Sequence, residues 1–514
     1  MGRWEIPNNW EWVKVGEIAN VIGGGTPSTR IPQYFSEDTG IAWLTPADLS
    51  GYDGTYIKRG KRNITQAGYD SSSAVLLPPG TVLYTSRAPI GYCVIAENEI
   101  ATNQGFKSFL LLGQTVSEYI RYYLVSSKEY AESFASGTTF KELSGSRIKE
   151  LLIPFPPLNE QKRVSQKIKA LQSRSTKVRK ALEAIPPLME KFRRSILSSA
   201  FRGDLTADWR AQNPDIEPVE KLMERIRKER RKRWEQAELA KMKAKGKTPK
   251  DDKWKNKYKE PEPVDITDLP ELPEGWCWGP LEILGIHQSG IAYKSKDFTN
   301  SGIQVIKLGN LYQRRFDLSR DPTFLPQDHP AIFEGLLRPG DLIISQTGTR
   351  FKRDYGNFVI IPDDSGKLVL NQRLLRVRLV ESSLAKWVLY TTRLTFYRDY
   401  FFSRETGGVN QGNVGVEGVM RGPIPFAPYQ EMKVIIRQLE NITKYTENIE
   451  TISKKEIKNL SQIDQSILAK AFRGELVPQD PNDEPAEQLL ARIKLHASKM
   501  PKLRAMKSHS TKRD

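Results

Sequence analysis

The chain has 514 residues, too many for one hydrophobic core, so about two to four domains are expected. Its 79 Lys and Arg against 61 Asp and Glu give a net charge of +18, which favours a polyanionic partner. No apolar run approaches the roughly 18–20 residues of a membrane span, and MGRWEIPNNW at the start lacks the features of a signal peptide. Two Cys and four His exclude a disulfide framework and a zinc-like cluster, so a reduced, cytoplasmic protein is expected.

The first predicted elements form a mixed α/β region over 1–153. Short apolar runs predict strands in IAWLTPADL at 41–49, GTVLYTS at 80–86 and GYCVIA at 91–96. A helix is predicted over 115–135. GGGTPS at 23–28 is interpreted as a tight turn, because it lacks the G-x-G-x-x-G pattern of a phosphate cradle.

A long helix follows within 154–203. From Val164 to Ile196 the apolar side chains alternate by four and three residues, which is the pattern of a helix that packs against another helix. Pro186 and Pro187 predict an irregularity in it. It ends in Ala-Phe-Arg-Gly, where Gly203 is suited to a left-handed cap.

The same elements return in the second half of the chain. SILSSAFRGDL at 195–205 reappears as SILAKAFRGEL at 466–476, which is 271 residues later. IPFPPLNEQKRV at 153–164 matches IPFAPYQEMKVI at 424–435, and IPNNWEW at 6–12 matches LPEGWCW at 272–278. One unit is therefore used twice, head to tail. A second irregularity is predicted near Ser453 and Glu456, where the apolar pattern slips.

We expect an α+β protein with two mixed α/β domains joined by a long antiparallel two-helix coiled coil, in a pseudo-two-fold arrangement. An ordinary helical hairpin within one core is the alternative. The predicted regions are a front domain at 1–153, a helix at 154–203, a basic helical linker at 204–270, a second front domain at 271–424, a second helix at 425–476 and a tail at 477–514. The predicted seam consists of Val164, Ile168, Leu171, Val178, Leu182, Phe192, Ile196, Ile435, Leu439, Ile442, Ile449, Leu460, Ile463 and Ile467.

Much of the positive charge lies in the linker. Between Lys221 and Lys259 there are 17 Lys and Arg against 6 Asp and Glu. Two interpretations stay open for this segment: a solvated charged helix with a linker, or contact with phosphates that does not depend on base sequence.

No catalytic triad, metal cluster or Asn/Asp-Pro-Pro-aromatic tetrapeptide is found in the sequence. The front domains have Arg, Lys and Gln side chains next to turns. Such side chains can hydrogen-bond to the edges of guanine and adenine bases. The candidate DNA-binding residues are Arg30, Arg59, Lys61, Arg62, Arg87, Gln104, Lys107, Lys141, Lys294, Lys296, Arg314, Arg315, Arg350, Lys352, Arg353 and Arg373.

The paired IPF segments, the paired heptad helices and the paired SIL..AFRG[DE]L endings resemble the DNA specificity subunit of type I restriction-modification enzymes. PPGTVLYTSRAPIG at 78–91 and TNQGF at 102–106 resemble that family's target-recognition domains. The resemblance implies a non-catalytic subunit whose two recognition domains each read one half of a split double-stranded DNA target, while the helices set the gap.

The resemblance also implies partners. Two adenine methyltransferase (M) subunits would dock on the helices and bring S-adenosylmethionine, and motor-nuclease (R) subunits would use ATP and Mg. The chain itself would bind no cofactor. APYQEMKVI at 427–435 departs from the pattern, which puts equal partner contacts at the two ends in doubt. The segments 213–226 and 480–493 are further candidates for holding the methyltransferase.

Two rival functions remain. One is a self-contained DNA methyltransferase or nuclease with its own specificity domains, which would need a cofactor or metal site in this chain. The other is a coiled-coil scaffold that binds nucleic acid without sequence preference, through the basic segment at 227–260.

Overall fold

The computed structural model describes residues 4–87, 89–137, 141–244, 246–249, 251–312 and 315–499. The chain forms two compact units, Met1–Ala184 with Ile452–Asp514, and Ile185–Thr451. In the part of the chain that the structure describes, none of the helices combines the length and hydropathy required of a membrane span.

The first unit begins with a mixed α/β domain. Its strands β1 to β11 are Glu11–Lys14, Ala19–Gly23, Phe35–Ser36, Ile41–Leu44, Tyr56–Ile57, Asn63–Ile64, Val82–Thr85, Cys93–Ala96, Ala101–Thr102, Phe106–Leu111 and Leu152–Phe155. Its helices α1 to α6 are Val15–Ile18, Gln66–Asp70, Ser117–Ser126, Lys128–Ser133, Gly145–Lys149 and Leu158–Glu183. The three predicted strands are confirmed, and the helix predicted over 115–135 is divided at Ser127.

Two sheets and a strand pair organise this domain. The larger sheet has the order β2-β10-β7-β8-β5, and the smaller has the order β3-β6-β4-β9. Strand β1 pairs antiparallel with β11, which leads directly into α6. The main core contains Tyr84 and Phe109 of the larger sheet and Tyr119 and Tyr123 of α3.

The second unit contains helices α7 to α14, which are Ile185–Phe201, Ala207–Gln212, Val219–Ala244, Leu281–Leu284, Ile332–Gly335, Ala385–Thr391, Thr395–Ser403 and Val416–Met420. Its strands β12 to β25 are Cys277–Pro280, Gly285–Ser289, Ile303–Ile306, Leu311–Tyr312, Arg315–Phe316, Phe324–Leu325, Leu342–Ser345, Thr347–Thr349, Phe358–Ile360, Leu368–Leu370, Leu374–Leu379, Glu405–Gly407, Gln411–Val414 and Pro423–Phe426. Helix α15 is Tyr429–Phe472 and contributes residues to both units, and α16, Ala486–Lys499, belongs to the first.

The sequence repeat is also a repeat of topology. The sheet β13-β22-β18-β20 corresponds to β2-β10-β7-β8, and the pair β12-β25 corresponds to β1-β11. Strands β14 and β21 run parallel, as β4 and β9 do. The second unit has in addition a three-stranded sheet, β19-β24-β23. The two domains therefore share a framework and differ in what is attached to it.

The long helices pair antiparallel in each unit. In the first, Arg179 of α6 lies 3.1 Å from Asp464 of α15, while further along α6 the carbonyl of Leu182 accepts a 2.8 Å hydrogen bond from Ser453. The partner's residue number falls as that of α6 rises, which defines the antiparallel direction. In the second unit Arg193 of α7 contacts Glu450 at 2.6 Å, and the later residue Phe201 shares a core with the earlier Ile435.

The predicted apolar seam is only partly closed. Ser175, Thr446 and Ser453, polar residues that fall at the same helical spacing, are buried. A strict 3.5-residue repeat drifts by about 20° per heptad from a straight α-helix, which turns some predicted positions away from the contact. The prediction is wrong at four residues that are between 42% and 50% exposed: Val178, Phe192, Ile449 and Ile463. Val164, Ile168, Ile435 and Leu439 are buried, and Leu171, Leu182, Ile196, Ile442, Leu460 and Ile467 are partly buried.

The predicted irregularity exists in one helix only. Helix α6 ends at Glu183, and α7 starts at Ile185, immediately before Pro186 and Pro187. The corresponding part of α15 is uninterrupted, so the irregularity predicted near Ser453 is wrong. Proline is the cause of the difference, because it lacks the backbone donor that α15 keeps.

The repeated helix endings connect the two copies. Gly203 and Gly474 both adopt left-handed backbone conformations, with φ of 78° and 77°, which confirms the predicted caps. A Cβ at Gly474 would lie 2.3 Å from Pro7, and a Cβ at Gly203 would lie 2.4 Å from Pro273. Each domain therefore packs closely against the end of the other copy's helix.

The hydrophobic cores show the same arrangement, in which the end of one copy's helix packs against the other copy's domain. In the first unit Phe472 of α15 packs edge-on against Tyr119 and Tyr123, at 5.5 and 5.1 Å between ring centroids. In the second unit Phe201 of α7 packs against Trp387 at 4.5 Å. Each unit thus combines one front domain with the start of its own helix and the end of the other.

Candidate nucleic-acid interface

Loops meet at one edge of the larger sheet of the first unit. Strand β7 ends at Thr85, β2 ends at Gly23 and β10 begins at Phe106. The backbone nitrogen of Ser86 donates to the carbonyl of Gly105 at 2.8 Å. We call residues 24–30, 86–87, 103–105 and 141–143 the first loop edge. The framework fixes this edge, because its loops begin where paired strands end.

Close backbone packing shapes the glycine-rich stretch of this edge. A Cβ at Gly24 would lie 2.0 Å from the carbonyl oxygen of Asn103, and one at Gly25 would lie 2.2 Å from the nitrogen of Ala74. Residues 24–28 continue beyond β2 without forming a turn, so the predicted tight turn is wrong. Both positions need glycine, because a side chain there would prevent the neighbouring backbone segments from approaching so closely.

Four of the sequence-predicted side chains come together here. Arg87 lies 3.7 Å from Glu142, next to the exposed Lys141. Gln104 is exposed at the turn before β10 and accepts a hydrogen bond from Thr26. Lys107 is partly buried on β10, opposite Tyr84 and Gly23. The first loop edge therefore offers Arg87, Gln104, Lys107 and Lys141 as a group.

Arg62, another of the predicted residues, contacts an aromatic pair. The guanidinium of Arg62 lies 4.4 Å from the ring centroid of Phe35 and 5.7 Å from that of Trp43. Arg59 donates to the carbonyl of Glu37 at 3.0 Å. Arg59 and Arg62 are thus partly engaged within the fold, whereas Arg30 and Lys61 have exposed side chains.

The second unit has a corresponding edge. The nitrogen of Gln346 donates to the carbonyl of Arg373 at 3.4 Å, and Gly290 donates to the carbonyl of Leu374 at 2.9 Å. We call residues 290–291, 346–354, 371–373 and 408–411 the second loop edge. Arg350, Lys352, Arg353 and Arg373 lie on it.

The guanidinium of Arg350 makes its contacts within the second unit. Its Nε lies 3.3 Å from Glu405, and its Nη1 donates to the carbonyls of Gly407 and Gly408 at 3.4 Å each. Arg353 has a positive φ of 46° and stacks over Phe402 at 4.9 Å. Lys352 is the exposed cation between them. Arg350 and Arg353 therefore shape this loop, and Lys352 is available to a ligand.

The remaining predicted residues of the second unit lie elsewhere. Lys294 and Lys296 are exposed at the short turn Ser295–Asp297, and Arg315 is exposed on β16. Arg314 lies outside the described residues.

Buried charged and polar side chains stabilise the strands that lead to the second loop edge. Burial, and to a smaller extent the positive charge of Arg378, lower the pKa of Arg376 on β22 to about 10. Arg378 forms two 2.7 Å hydrogen bonds with the carboxylate of Asp341. Burial and a hydrogen bond to Glu405 raise the pKa of Tyr355. These groups hold strands and loops in place.

Two exposed apolar side chains on this edge were missed by the sequence analysis. Phe351 is 80% exposed and Val409 is 76% exposed. The signal was present as single apolar residues in otherwise polar stretches, TRFKRD at 349–354 and GGVNQG at 407–412. Such residues have no periodicity, so pattern analysis does not select them.

Comparisons with known proteins find similarity to one family. The model of the type I restriction modification DNA specificity domain matches residues 7–185. The MjaIX specificity subunit of Methanocaldococcus jannaschii is 46% identical over 164 residues, which are 31% of this chain and 37% of that protein. The EcoDI specificity subunit of Escherichia coli is 22% identical over 486 residues, 93% of this chain and 91% of that protein.

Solved structures agree in fold. A chain from a type I R-M system, solved in a study of complex assembly and conformational transition, superposes with a TM-score of 0.62 at 17% identity, covering 92% of this chain and 100% of that one. The HsdS subunit of Thermoanaerobacter tengcongensis gives a TM-score of 0.56 at 17% identity, covering 92% and 99%.

The chain is similar to type I restriction enzyme specificity subunits over 93% of its length.

The paired helices of this chain carry exposed apolar side chains. In the first unit these are Val178, Ile452 and Ile463, and in the second they are Leu188, Phe192, Tyr445 and Ile449. Apolar side chains left in water on a helix are a common feature of protein interaction surfaces.

Among the described residues, no group of three His, Cys, Asp or Glu side chains is arranged to hold a metal ion. The carboxylates of the two edges, Glu142 and Asp354, contact groups of the same edge. The other polar groups are cations, amides and hydroxyls, and such donors suit phosphates and base edges.

Proposed function

We propose that this chain is a specificity subunit that reads a bipartite double-stranded DNA target, one half with each loop edge. The observation that carries this is the duplicated framework with unlike loops. Gln104 and Lys107 of the first edge correspond to Gln372 and Leu375 on the second, and the ribbon β19-β24-β23 belongs to the second unit alone among the described residues. Unlike loops on one framework would read unlike half-sites, with bases contacted by Arg, Lys and Gln.

The paired helices would set the gap between the two halves. An α-helix rises about 1.5 Å per residue, so a pair of long helices is a spacer of fixed length. The antiparallel pairing and the salt bridges Arg179–Asp464 and Arg193–Glu450 support this role, because they fix the register of the helices in each unit.

The exposed apolar positions of the helices, such as Phe192 and Ile463, would receive two adenine methyltransferase subunits. S-adenosylmethionine would then be bound by those subunits, and ATP and Mg by motor-nuclease subunits that join the complex. The chain itself would direct the chemistry without performing it.

The test is an unbiased selection from random duplex DNA, with the chain co-purified with its methyltransferase subunits and the selected pool sequenced at two salt concentrations. Two short, unlike half-sites at a constant gap are expected. A single unbroken motif would contradict the two-edge model. Binding without any motif, abolished at high salt, would instead favour a non-specific scaffold.

A further inference from the structure

The tip of the ribbon in the second unit is a defined structure. Strand β19 pairs antiparallel with β24, so that Thr347 lies opposite Asn413 and Thr349 lies opposite Gln411. The nitrogen of Arg350 continues this ladder by donating to the carbonyl of Asn410 at 3.5 Å. Phe351 follows Arg350 and Val409 precedes Asn410, so each adjoins the last hydrogen-bonded pair of this ladder.

Internal bonds close the first of the two loops at this tip. The nitrogen of Arg353 donates to the carbonyl of Thr349 at 3.1 Å, and the nitrogen of Thr349 donates to the carboxylate of Asp354 at 2.7 Å. A Cβ at Gly348 would lie 2.6 Å from that same carboxylate. Residues 349–354 therefore form a compact turn with Phe351 and Lys352 at its apex.

Arg350 joins this turn to the second loop through the carbonyls of Gly407 and Gly408. Glu405 accepts hydrogen bonds from both Arg350 and the buried Tyr355. A Cβ at Gly412 would lie 2.2 Å from the carboxylate of Glu405, so the ribbon is closely packed beneath its tip. The fold thus presents two exposed apolar side chains at the end of a closely packed ribbon.

We propose that Phe351, with Val409 beside it, contacts a thymine methyl group in the major groove of the second unit's half-site. This proposal rests on the proposed function. The major groove is about 12 Å wide and admits a two-stranded β-ribbon, and its floor at an A·T pair carries the thymine methyl, which apolar side chains including Phe recognise.

The charges around the tip favour DNA over an acidic or apolar protein surface. Lys352 is exposed beside Phe351, and Arg373 lies at the base of the ribbon on the same edge. The nearby carboxylates, Asp354 and Glu405, are used in holding the loops. An apolar tip with cations beside it fits a groove that has phosphates along both walls.

The test combines a protein change with a DNA change. The complex with methyltransferase subunits is titrated with its selected target, in which each thymine in turn is replaced by deoxyuridine, which lacks only the methyl group. For the unaltered chain we expect one thymine, in one half-site, whose replacement weakens binding about fourfold, the value of one buried methyl group. Phe351→Ala is expected to weaken binding to the thymine target and to be insensitive to deoxyuridine at that position.

Phe333→Ala is the matched control, because Phe333 is 90% exposed in the same unit but lies on α11. It should keep the full deoxyuridine penalty. Val409→Ser is a second tip variant and should reduce the penalty. Both tip positions are exposed, so neither change removes a core contact.

The proposal is overturned if Phe351→Ala retains the fourfold penalty, or if no thymine shows one while two half-sites are still selected. In that second case the proposed function stands. Absence of any two-part target would contradict both.

Discussion

The indole nitrogen of Trp10 donates a 2.9 Å hydrogen bond to the carboxylate of Glu160, and both side chains are buried. Trp10 belongs to the entry of the first front domain, and Glu160 lies in the first turn of α6. Gln479, from the segment after α15, donates to the other carboxylate oxygen at 2.5 Å. One carboxylate therefore joins three parts of the chain that are far apart in sequence.

The second unit contains the same junction with a different partner. Trp276 donates to Glu431 at 3.0 Å, and Glu431 also accepts from Thr206 at 2.7 Å and from Arg210. The second copy lacks the Asn-Glu-Gln run of the first copy, but it keeps the buried glutamate as Glu431. Glu431 has a charged partner, whereas Glu160 has only neutral donors in direct contact.

Because of this difference, replacing the buried glutamate with glutamine should have opposite effects on the stability of the two units. Burial raises the pKa of Glu160 above its ordinary value. A folded pKa above the unfolded one means that the folded state binds more protons between the two values, so the stability of the first unit falls as pH rises through that window. Glu160→Gln should remove this pH-dependent decrease, because a neutral amide can still accept from Trp10 and pair with a reoriented Gln479.

Glu431→Gln is the matched variant and should destabilise the second unit by roughly 1.5–3 kcal/mol, since Arg210 would then lack a charged partner in a buried setting. Hydrogen exchange of peptides from each unit, followed from pH 4.5 to 8, measures both effects. Equal destabilisation by the two variants, with no change in pH dependence, would contradict the assigned difference.

The framework could be predicted from sequence because repetition reveals it. The cap glycines, the two long helices and the strands at β4, β7 and β8 follow from local pattern, whereas the antiparallel direction of the helices does not. Exposure at Val178 and Ile463 could not be predicted, since their contacts depend on how two helices drift relative to each other.

The candidate site was predictable only as a set of loops. Arg350 was selected as a DNA contact because it is a cation beside a turn, but its bonds to Gly407 and Gly408 depend on a strand pairing that no local pattern encodes. Phe351 was missed for the converse reason, since a lone exposed apolar residue has no periodicity.

A second prediction concerns the exchanged helix ends. Phe472→Ala should destabilise the first unit by about 3–5 kcal/mol, because a buried aromatic ring is removed from between Tyr119 and Tyr123. Phe201→Ala should act in the same way on the second unit. Hydrogen exchange should show reduced protection at 1–153 for the first variant and at 271–424 for the second.

Phe192→Ala is the control, because Phe192 is exposed on α7 and its truncation should leave the protection of both units unchanged. If Phe472→Ala instead reduced protection mainly at 271–424, the assignment of each helix end to the other copy's domain would be wrong.

The third prediction concerns the basic helix α9. Arg230 donates to the carbonyl of Glu282 at 2.8 Å, and Arg233 donates to that of Val380 at 2.7 Å. Val380 follows the end of β22 opposite to Arg373, so α9 is anchored at the far end of the sheet from the second loop edge. The basic segment is part of the second unit, and its Arg230 and Arg233 are held at the end of the sheet opposite to the proposed DNA contact.

Lys221, Lys228 and Lys232 recur at four, three and four residues around Arg225 on the exposed side of α9. Replacing these three lysines with glutamine should leave the salt dependence of DNA binding unchanged. Replacing Lys352 and Arg373 should reduce the slope of log K against log salt by about 1 for each phosphate that the variant no longer neutralises. Titrations of the methyltransferase complex at several salt concentrations compare the two sets. A smaller slope in the α9 variant alone would show that this helix, and not the loop edge, contacts phosphates.

The last prediction tests the helices as a spacer. An insertion or deletion of about four residues within 164–182 should change the gap between half-sites and leave both half-sequences as they are. Because Arg179 faces Asp464 and Ser461, the sharpest design inserts four residues after Lys177 and four after Gln462, so that both helices lengthen together. Four residues add about 6 Å of helix, or about two base pairs at 3.4 Å each. Selection from random DNA reads out the gap directly, and four residues inserted after Gly246, outside the long helices, provide the control. A gap that stays constant in the double insertion, with both half-sites retained, would mean that something other than helix length sets the distance between the two reading edges.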